Sequence, residues 1–496
     1  MALPEDTGGV LGWQGNGTRQ LLAALTGFKN AKVPAVLSFG LIAGHLTMES
    51  PAVGQAGPAS ALALGDPRGT GRVALFVAGG PQPGRYPLGA PSRLFWREGA
   101  QWISDSANNV LFENLGIVNA ALWSDLDGDG FGELVLACEW GPIRVFKMRG
   151  IGWFEVTSTW GLDAFTGLWR GVTAGDFNQD GRMDLIASNW GQNSPLRASQ
   201  SHPLTLAFGQ LVQPGIMDVI ETEWVADQLV PRRPWMPLSR SLPFLLDRFP
   251  SHRAFSEATL EQVLGDRAPL SRRVRATTLS STLFLNTGTG FQATALPRET
   301  QFAPAFAVTV ADLDGDGSED AFLSQNLGAN GPDLPRMDAG VGLLLRGNGN
   351  GGLEAMRPAA SGLRVWGEQR GAAVGDYDED GRTDLAVASV GESIRLFHNV
   401  GARPGLRIRL KGRRENPEGI GAVLRLQRGE ALGAAREIHS GSGYWSQDGT
   451  PVVLGPRDRA TGVWIRWPGG RVTTTPVPTG SVEMVIGEDG VLISSR

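Results

Sequence analysis

A nine-residue pattern recurs four times in this chain, and its spacing limits what the chain can fold into. The copies are DLDGDGFGE at 125–133, DFNQDGRMD at 176–184, DLDGDGSED at 312–320 and DYDEDGRTD at 376–384. Each sets acidic or amide side chains at positions 1, 3 and 5, Gly at position 6 and a carboxylate at position 9. Oxygen donors on alternate residues of a tight loop, with Gly at the sharp bend, describe a calcium-binding turn. A short apolar run follows every copy (LVLA, LIAS, AFLS and LAVAS) and reads as a buried strand. A second element recurs later in the units: RLFWREG at 93–99, RVFKMRG at 144–150, TLFLNTG at 282–288 and RLFHNVG at 395–401.

With that template, degenerate copies emerge. GDPRGTGRVALFVAGG at 65–80 keeps Asp66 and Gly71, GWQGNGTRQLLAALTG at 12–27 keeps Gly17, and GQLVQPGIMDVIE at 209–221 keeps Gly215 and Asp218. The loops then start at residues 12, 66, 125, 176, 210, 312 and 376, giving seven units. Typical spacings of 51 to 64 residues suit four-stranded propeller blades. The start at 210 follows the one at 176 by 34 residues and precedes the next by 102. A shortened blade and an insertion at about 226–280 account for both intervals.

The insertion is rich in Pro and Arg, with nine Arg from Arg232 to Arg275. Residues 256–265 predict a short helix capped by Ser256, with Leu260, Val263 and Leu264 on one face and Gly265 at its end. Two readings of the insertion stay open: an excursion whose Arg residues pair with acidic loops, or a lid or partner-binding arm. After Gly401 the pattern changes. GLRIRLKG at 405–412 alternates, placing Leu406, Ile408 and Leu410 on a buried face and Arg407, Arg409 and Lys411 on a wet one. GVWIRWPGG at 462–470 and VEMVIGEDG at 482–490 continue in strand patterns. The expected fold is all-β: a seven-bladed β-propeller over 1–402 with a helical insertion, then a small C-terminal β-sandwich-like domain over 403–496.

Composition removes several function classes. A net charge of −5 over 496 residues gives no nucleic-acid signal, and the single Cys138 excludes an internal disulfide framework. The apolar stretch from Val33 to Leu46 is interrupted by Gly40, Gly44 and His45 and is too short to span a bilayer. The opening MALPEDTGGV lacks a basic segment followed by an apolar core, so no secretory signal is read in this chain.

The acidic loops with their following strands resemble the FG-GAP/VCBS repeats of integrin-α-type seven-bladed propellers. NPEGIGAVLRL (416–426), REIHSGSGYWSQ (436–447) and WPGG (467–470) resemble the ASPIC/UnbV domain. The pairing resembles the cartilage-acidic-protein-like group. That resemblance implies calcium and an extracellular or periplasmic setting, and no defined reaction.

Up to four Ca²⁺ ions are expected. The candidate ligands are Asp125, Asp127, Asp129, the Phe131 carbonyl and Glu133 in the first loop. The second offers Asp176, Asn178, Asp180, the Arg182 carbonyl and Asp184. The third offers Asp312, Asp314, Asp316, the Ser318 carbonyl and Asp320, and the fourth Asp376, Asp378, Asp380, the Arg382 carbonyl and Asp384. Carboxylates about 4 Å apart repel by about 1 kcal/mol in water and about 4 at an effective dielectric of 20, so such loops call for a cation. The loops starting at 12, 66 and 210 lack most ligands.

No catalytic constellation stands out. His45, His202, His252, His398 and His439 have no metalloenzyme spacing, and HSGSGYWSQDG at 439–449 reads as a Gly-rich turn. Trp140, Trp169 and Trp190 are candidates for a rim that stacks on sugar rings or partner side chains. The functional reading is a calcium-binding, extracellular-type scaffold for adhesion to a protein or carbohydrate ligand, with neither nucleic acid nor membrane insertion. A polysaccharide-active hydrolase or lyase and a module of a larger exported assembly stay open beside it.

Overall fold

The computed structural model describes residues 6–496 except 16, 31, 43–44 and 329–334. Inner strands such as Ala74–Gly79, Ile117–Ser124 and Ala305–Ala311 are buried along their whole length. They lack alternation because both faces meet protein, which is why they read as continuous apolar runs.

Six antiparallel meanders follow one another. The first comprises Thr7–Gly15, Thr18–Leu25, Pro34–Ile42 and His45–Ala56; the second Ala59–Gly65, Ala74–Gly79, Arg93–Glu98 and Gln101–Ser104. The third runs through Ile117–Ser124, Glu133–Gly141, Ile143–Arg149 and Gly152–Glu155, and the fourth through Val172–Gly175, Asp184–Ala187, Thr282–Asn286 and Phe291–Ala295. The fifth comprises Ala305–Ala311, Asp320–Gln325, Leu343–Gly347 and Leu353–Ala355, and the sixth Gln369–Gly375, Asp384–Ser389 and Arg395–Phe397. The first strand of each sheet packs against the first strand of the next.

The unit expected to begin at 210 is not a seventh meander of this series. Leu204–Gly209, Asp218–Val225, Gln228–Pro231 and Ser271–Ala276 form a separate sheet between the second and third strands of the fourth. The reason lies in strand pairing. Thr282–Asn286 adds to Asp184–Ala187, so everything between them is excursion, and the insertion starts well before the expected 226. It carries its own core of Ala207, Ile220, Leu238, Leu245, Phe255 and Val263. Its last α-helix is Leu260–Leu264, capped by Thr259 with a reciprocal Gln262 bond; Ser256 instead ends the helix His252–Ser256. Arg248 pairs with Asp266, Arg273 with Glu261, and Arg233 with Glu221 at 3.4 Å, all within the insertion rather than with acidic loops. The unit expected at residue 12 differs too: Thr7–Gly15 runs straight into a tight hairpin through Gly17, without a nine-residue loop.

Beyond residue 405 two four-stranded sheets close on a core of Leu406, Ile408, Leu424, Ile465, Trp467 and Met484. The segment between them, 438–449, starts from Ile438 in that core and runs among the first strands of the meanders. Leu64 donates its amide to the Ser440 carbonyl at 2.7 Å, and Gly443 and Val172 exchange amide–carbonyl bonds at 3.0 and 3.3 Å. Gly449 donates to Val374 at 2.7 Å, and the Gln447 side chain both accepts from and donates to the backbone of Gly12, at 2.6 and 3.0 Å. Tyr444 lies edge-on to Phe306 and stacks on Trp445. The expected Gly-rich turn is therefore a central strap that ties the first, second, fourth and sixth sheets together.

Gly441 sits at φ +90°, where a Cβ would collide with the Leu62 carbonyl, whereas Gly480, at φ +82°, faces open space. Gly441→Ala is expected to cost about 2–4 kcal/mol from strain plus overpacking, and Gly480→Ala about 1 kcal/mol. Thermal and urea unfolding of the two variants checks the difference.

Candidate functional site

The acidic loops join the first and second strands of the third to sixth sheets, so all four open at the same end of those sheets. Position 1 plays one part in six loops, including two degenerate ones. Its side-chain oxygen accepts the amide of position 6: Asp66 from Gly71 at 2.7 Å, and Asp125 from Gly130, Asp176 from Gly181, Gln210 from Gly215, Asp312 from Gly317 and Asp376 from Gly381, each at 2.9 Å. These glycines lie at φ +84° to +93°, a region that side chains with a Cβ avoid. The loop closes through this bond, which explains why degenerate copies keep the Gly and a first-position oxygen.

Position 9 is a clamp. One oxygen of Asp184, Asp320 and Asp384 accepts the amide of position 2, at 3.0, 2.8 and 3.1 Å. The other accepts an amide from the third strand or its end: Asn286 at 2.7, Gly347 at 2.8 and Asn399 at 2.7 Å. Glu133, one methylene longer, takes Leu126 at 2.9 Å with one oxygen and faces Lys147 with the other.

The loop carboxylates, some of whose oxygens also accept backbone amides, are the candidate cation ligands. Carboxylate oxygens of Asp125, Asp127 and Glu133, of Asp312, Asp314 and Asp316, and of Asp376, Asp378 and Asp384 come within 4.8 Å of one another. Oxygens bound to one Ca²⁺ at 2.3–2.6 Å stand at most about 5 Å apart, so these three sets fit a hard cation. Asp125 Oδ1 is buried without a hydrogen-bond partner, a further sign of an oxygen awaiting one. In the second loop Asp176 Oδ1 is likewise unpartnered, but Asn178 donates to Asp180 at 2.9 Å and Arg182 pairs with Asp180. Its carboxylates form no such set among the described residues.

The sheet register adds something absent from the motif. Leu134 faces Phe146, Ala321 faces Leu345 and Leu385 faces Phe397, and the next residue along each third strand points at the loop. Lys147 reaches Asp127, Asp129 at 2.7 Å and Glu133 at 3.1 Å. Arg346 lies 2.7 Å from Asp314, and His398 lies 2.9 Å from Asp378. His398 is thus a loop residue rather than a packing one. The aligned column Trp96, Lys147, Leu285 and His398 held the signal, and Arg346 extends it.

The two C-terminal sheets lie over this loop end. Arg466 Nη2 is 2.7 Å from Asp125 Oδ2, and Arg407 Nε is 2.7 Å from Asp376 Oδ2, an ion pair without hydrogen-bond alignment. Arg425 acts on Asp176, Arg436 on Asp312 and Arg413 on Asp66, while the Ala435 amide donates to Asp176 at 2.8 Å. Five loops therefore face five C-terminal arginines. Arg407 corrects the expected wet face: its side chain is 2% exposed, against 45% for Arg409.

A second candidate lies at the opposite end of the sheets, where the third and fourth meet the insertion. A cavity of about 420 Å³ is walled by Trp140, Trp190, Leu204, Leu206, Arg170 and Arg232, among others. Trp140 holds a left-handed backbone, φ +62°, and its indole donates to the Tyr86 hydroxyl at 2.6 Å. Tyr86 donates to Glu139 at 2.8 Å, and Glu139 pairs with Arg170 at 2.7 Å. Trp169, the third tryptophan expected at a rim, is fully buried in the core.

Comparison with known proteins bears on the loop end. Residues 125–187 match the family described as FG-GAP-like repeat, and residues 412–491 match ASPIC and UnbV. The chain carries both modules. It is 24% identical over 353 residues to cartilage acidic protein 1 of Xenopus tropicalis, covering 70% of this chain and 41% of that protein, so it spans well under half of that relative's length. Among solved structures, an exotype rhamnogalacturonan lyase aligns over 98% of this chain and 85% of its own, at TM-score 0.29 and 12% identity. A V. cholerae biofilm matrix protein aligns over 85% and 61%, at TM-score 0.24 and 12% identity. Scores at that level carry no inference about this chain.

In these terms, the ASPIC and UnbV module supplies Arg466 to the FG-GAP-like repeat, and its Glu437 accepts the Ser124 hydroxyl at 2.6 Å and the Asp125 amide at 3.0 Å. Covering the loops takes their carboxyls out of water. Burial raises Asp125 and Asp312 to about 6, Asp184 and Asp320 to about 7, and Glu133 to about 8. A carboxyl raised on folding holds a proton that the unfolded chain releases near pH 4. Its stabilising contribution is complete below that pH and is lost as pH rises through the folded value. The cation-free protein is therefore expected to lose stability steadily between about pH 4 and pH 8, which urea unfolding in chelator across that range measures.

Arg407→Ala leaves Asp376 under the module without its cation, while Glu483 keeps Arg496, and is expected to cost about 3 kcal/mol. Arg409→Ala, half exposed, is expected to cost well under about 1 kcal/mol in the same unfolding measurement.

Proposed function

We propose that this chain is a calcium-braced scaffold of the extracellular β-propeller type, with calcium in the acidic loops, that holds a protein or carbohydrate ligand. The observation that carries the calcium reading is the convergence of three carboxylate sets to within 4.8 Å, with Asp125 Oδ1 buried and unpartnered. Positions 1 and 9 are spent on backbone amides through one or both oxygens, so a cation would enter from the outer side, against positions 3 and 5. Lys147, Arg346 and His398 occupy that side and would have to swing away, which their partial exposure allows. When bound, the ion supplies charge neutralisation and ties the loop's alternate residues to a common point. The loop at 176–184 is the weakest of the four by its donor set.

The propeller reading rests on six meanders whose first strands pack in order around the strap at 438–449. An extracellular setting is supported by the match to the FG-GAP-like repeat and by the similarity to cartilage acidic protein 1. No helix among the described residues is long and apolar enough to cross a membrane. For a lyase, Tyr86 is a hydroxyl at the cavity that would serve as base, yet it is already engaged, donating to Glu139 at 2.8 Å and accepting from the Trp140 indole at 2.6 Å.

The test is thermal unfolding of the purified chain with Ca²⁺ and with chelator, alongside metal analysis. Two to three bound Ca²⁺ and a melting temperature higher by about 5 °C or more are expected, and calcium should flatten the pH dependence described above. An unchanged melting temperature with no bound metal refutes the reading.

A further inference from the structure

We infer that the cavity between the third and fourth sheets and the insertion is a binding site for a small amphipathic carboxylate with an apolar, ring-sized body. This goes beyond the reading above, which names a protein or carbohydrate ligand, and it does not depend on calcium, whose loops lie at the other end of the sheets.

The cavity's volume of about 420 Å³ lies within the range of small-molecule sites and exceeds what a few waters need. Its walls are mostly apolar: Leu168 beside the third sheet, Leu204, Leu206, Pro234 and Pro237 from the insertion, with two indoles. A polar sugar would leave hydroxyls unpaired against such walls, whereas an aromatic or branched aliphatic body would not.

The polar groups are few and unbalanced. Glu139 is engaged by Tyr86, Asn119 and Arg170, and Glu221 by Arg233. Arg232 has no ion-pair or side-chain hydrogen-bond partner among the described residues, which leaves one guanidinium at the wall for an incoming anion. Arg170 Nε and Trp190 Nε1 are buried without a hydrogen-bond partner, in residues that line the same cavity. The Arg170 guanidinium lies 5.5 Å from the Trp190 ring centre, holding that indole in place. Trp140 is fixed by its bond to Tyr86 in a backbone conformation that costs strain. Such strain persists where surrounding structure holds a side chain in one orientation, here along the cavity wall. A fixed aromatic wall with a single spare guanidinium selects a flat or branched apolar acid.

Calorimetric titration of the full chain with 2-naphthoate, 2-naphthylmethanol and D-galacturonate tests this, in calcium and again in chelator. The expected result is one 2-naphthoate per chain in both conditions, with the neutral alcohol weaker by about tenfold or more, the value of one charge-assisted contact. Arg232→Ala should abolish that preference at an unchanged melting temperature, Arg232→Lys should keep part of it, and Arg253→Ala, in the insertion but outside the cavity lining, should leave it intact. Equal binding of acid and alcohol, binding of galacturonate instead of naphthoate, or no saturable heat from any probe would overturn the inference. Binding lost only in chelator would overturn its independence from the loops. Naphthoate binding without any calcium effect on melting would leave it standing while the calcium reading fails.

Discussion

Everything at the loop end depends on buried carboxylates meeting arginines from the far end of the chain. The first-position Asp must lie inward to catch the amide of position 6, which puts it beneath whatever covers the loops. A carboxylate taken out of water there needs a cation or a proton. Arg466 on Asp125 and Arg407 on Asp376 provide one directly, and Arg413, Arg425 and Arg436 do so for Asp66, Asp176 and Asp312. The C-terminal sheets are thus part of the loops' electrostatics, and the strap at 438–449 carries the same sheets into the middle of the molecule.

The nine-residue loop then divides its labour by position. Positions 1 and 9 build the loop and clamp it to the third strand through backbone amides. Position 5 turns inward enough to accept the amide of position 7, at 2.9 Å in Phe131 and 2.8 Å in Ser318 and Arg382. What remains is directed outward, where the third strand offers Lys147, Arg346 or His398. The loops at 125 and 312 therefore each have two sources of positive charge within the protein, one above and one beside. A bound divalent ion would compete with the second and leave the first in place.

Local chemistry was legible in the residues, and long-range chemistry was not. The Gly at position 6 needs a positive φ wherever the loop forms, so four full copies and the copy at 66 could be placed from sequence alone. The same locality misled at 210. Gln210, Gly215 and Asp218 make the loop's own bonds, yet the sheet they join is decided by Thr282–Asn286, some hundred residues downstream of its partner strand. The alternation of Leu406, Arg407 and Ile408 correctly told the two faces apart, but no periodicity says what will cover the second face. Trp169 is buried for a similar reason: it follows the two-residue strand Gly167–Leu168, and its neighbours come from Phe284 and the third sheet. Ser256 and Thr259 both had cap chemistry, and Thr259 prevailed because Gln262 completes a reciprocal pair.

The central claim is that the segment 438–449 is a hydrogen-bonded strap through the middle of the sheets, held there by the arginine-bearing module. Amide hydrogen exchange on the intact protein tests it most directly, read at Leu64, Val172, Gly443 and Gly449. Protection matching that of inner-strand amides such as Leu122 and Val308, and lost together with them on unfolding, is the predicted result. Exchange at Gly443 and Gly449 as fast as at the exposed turn around Gly480 would contradict it.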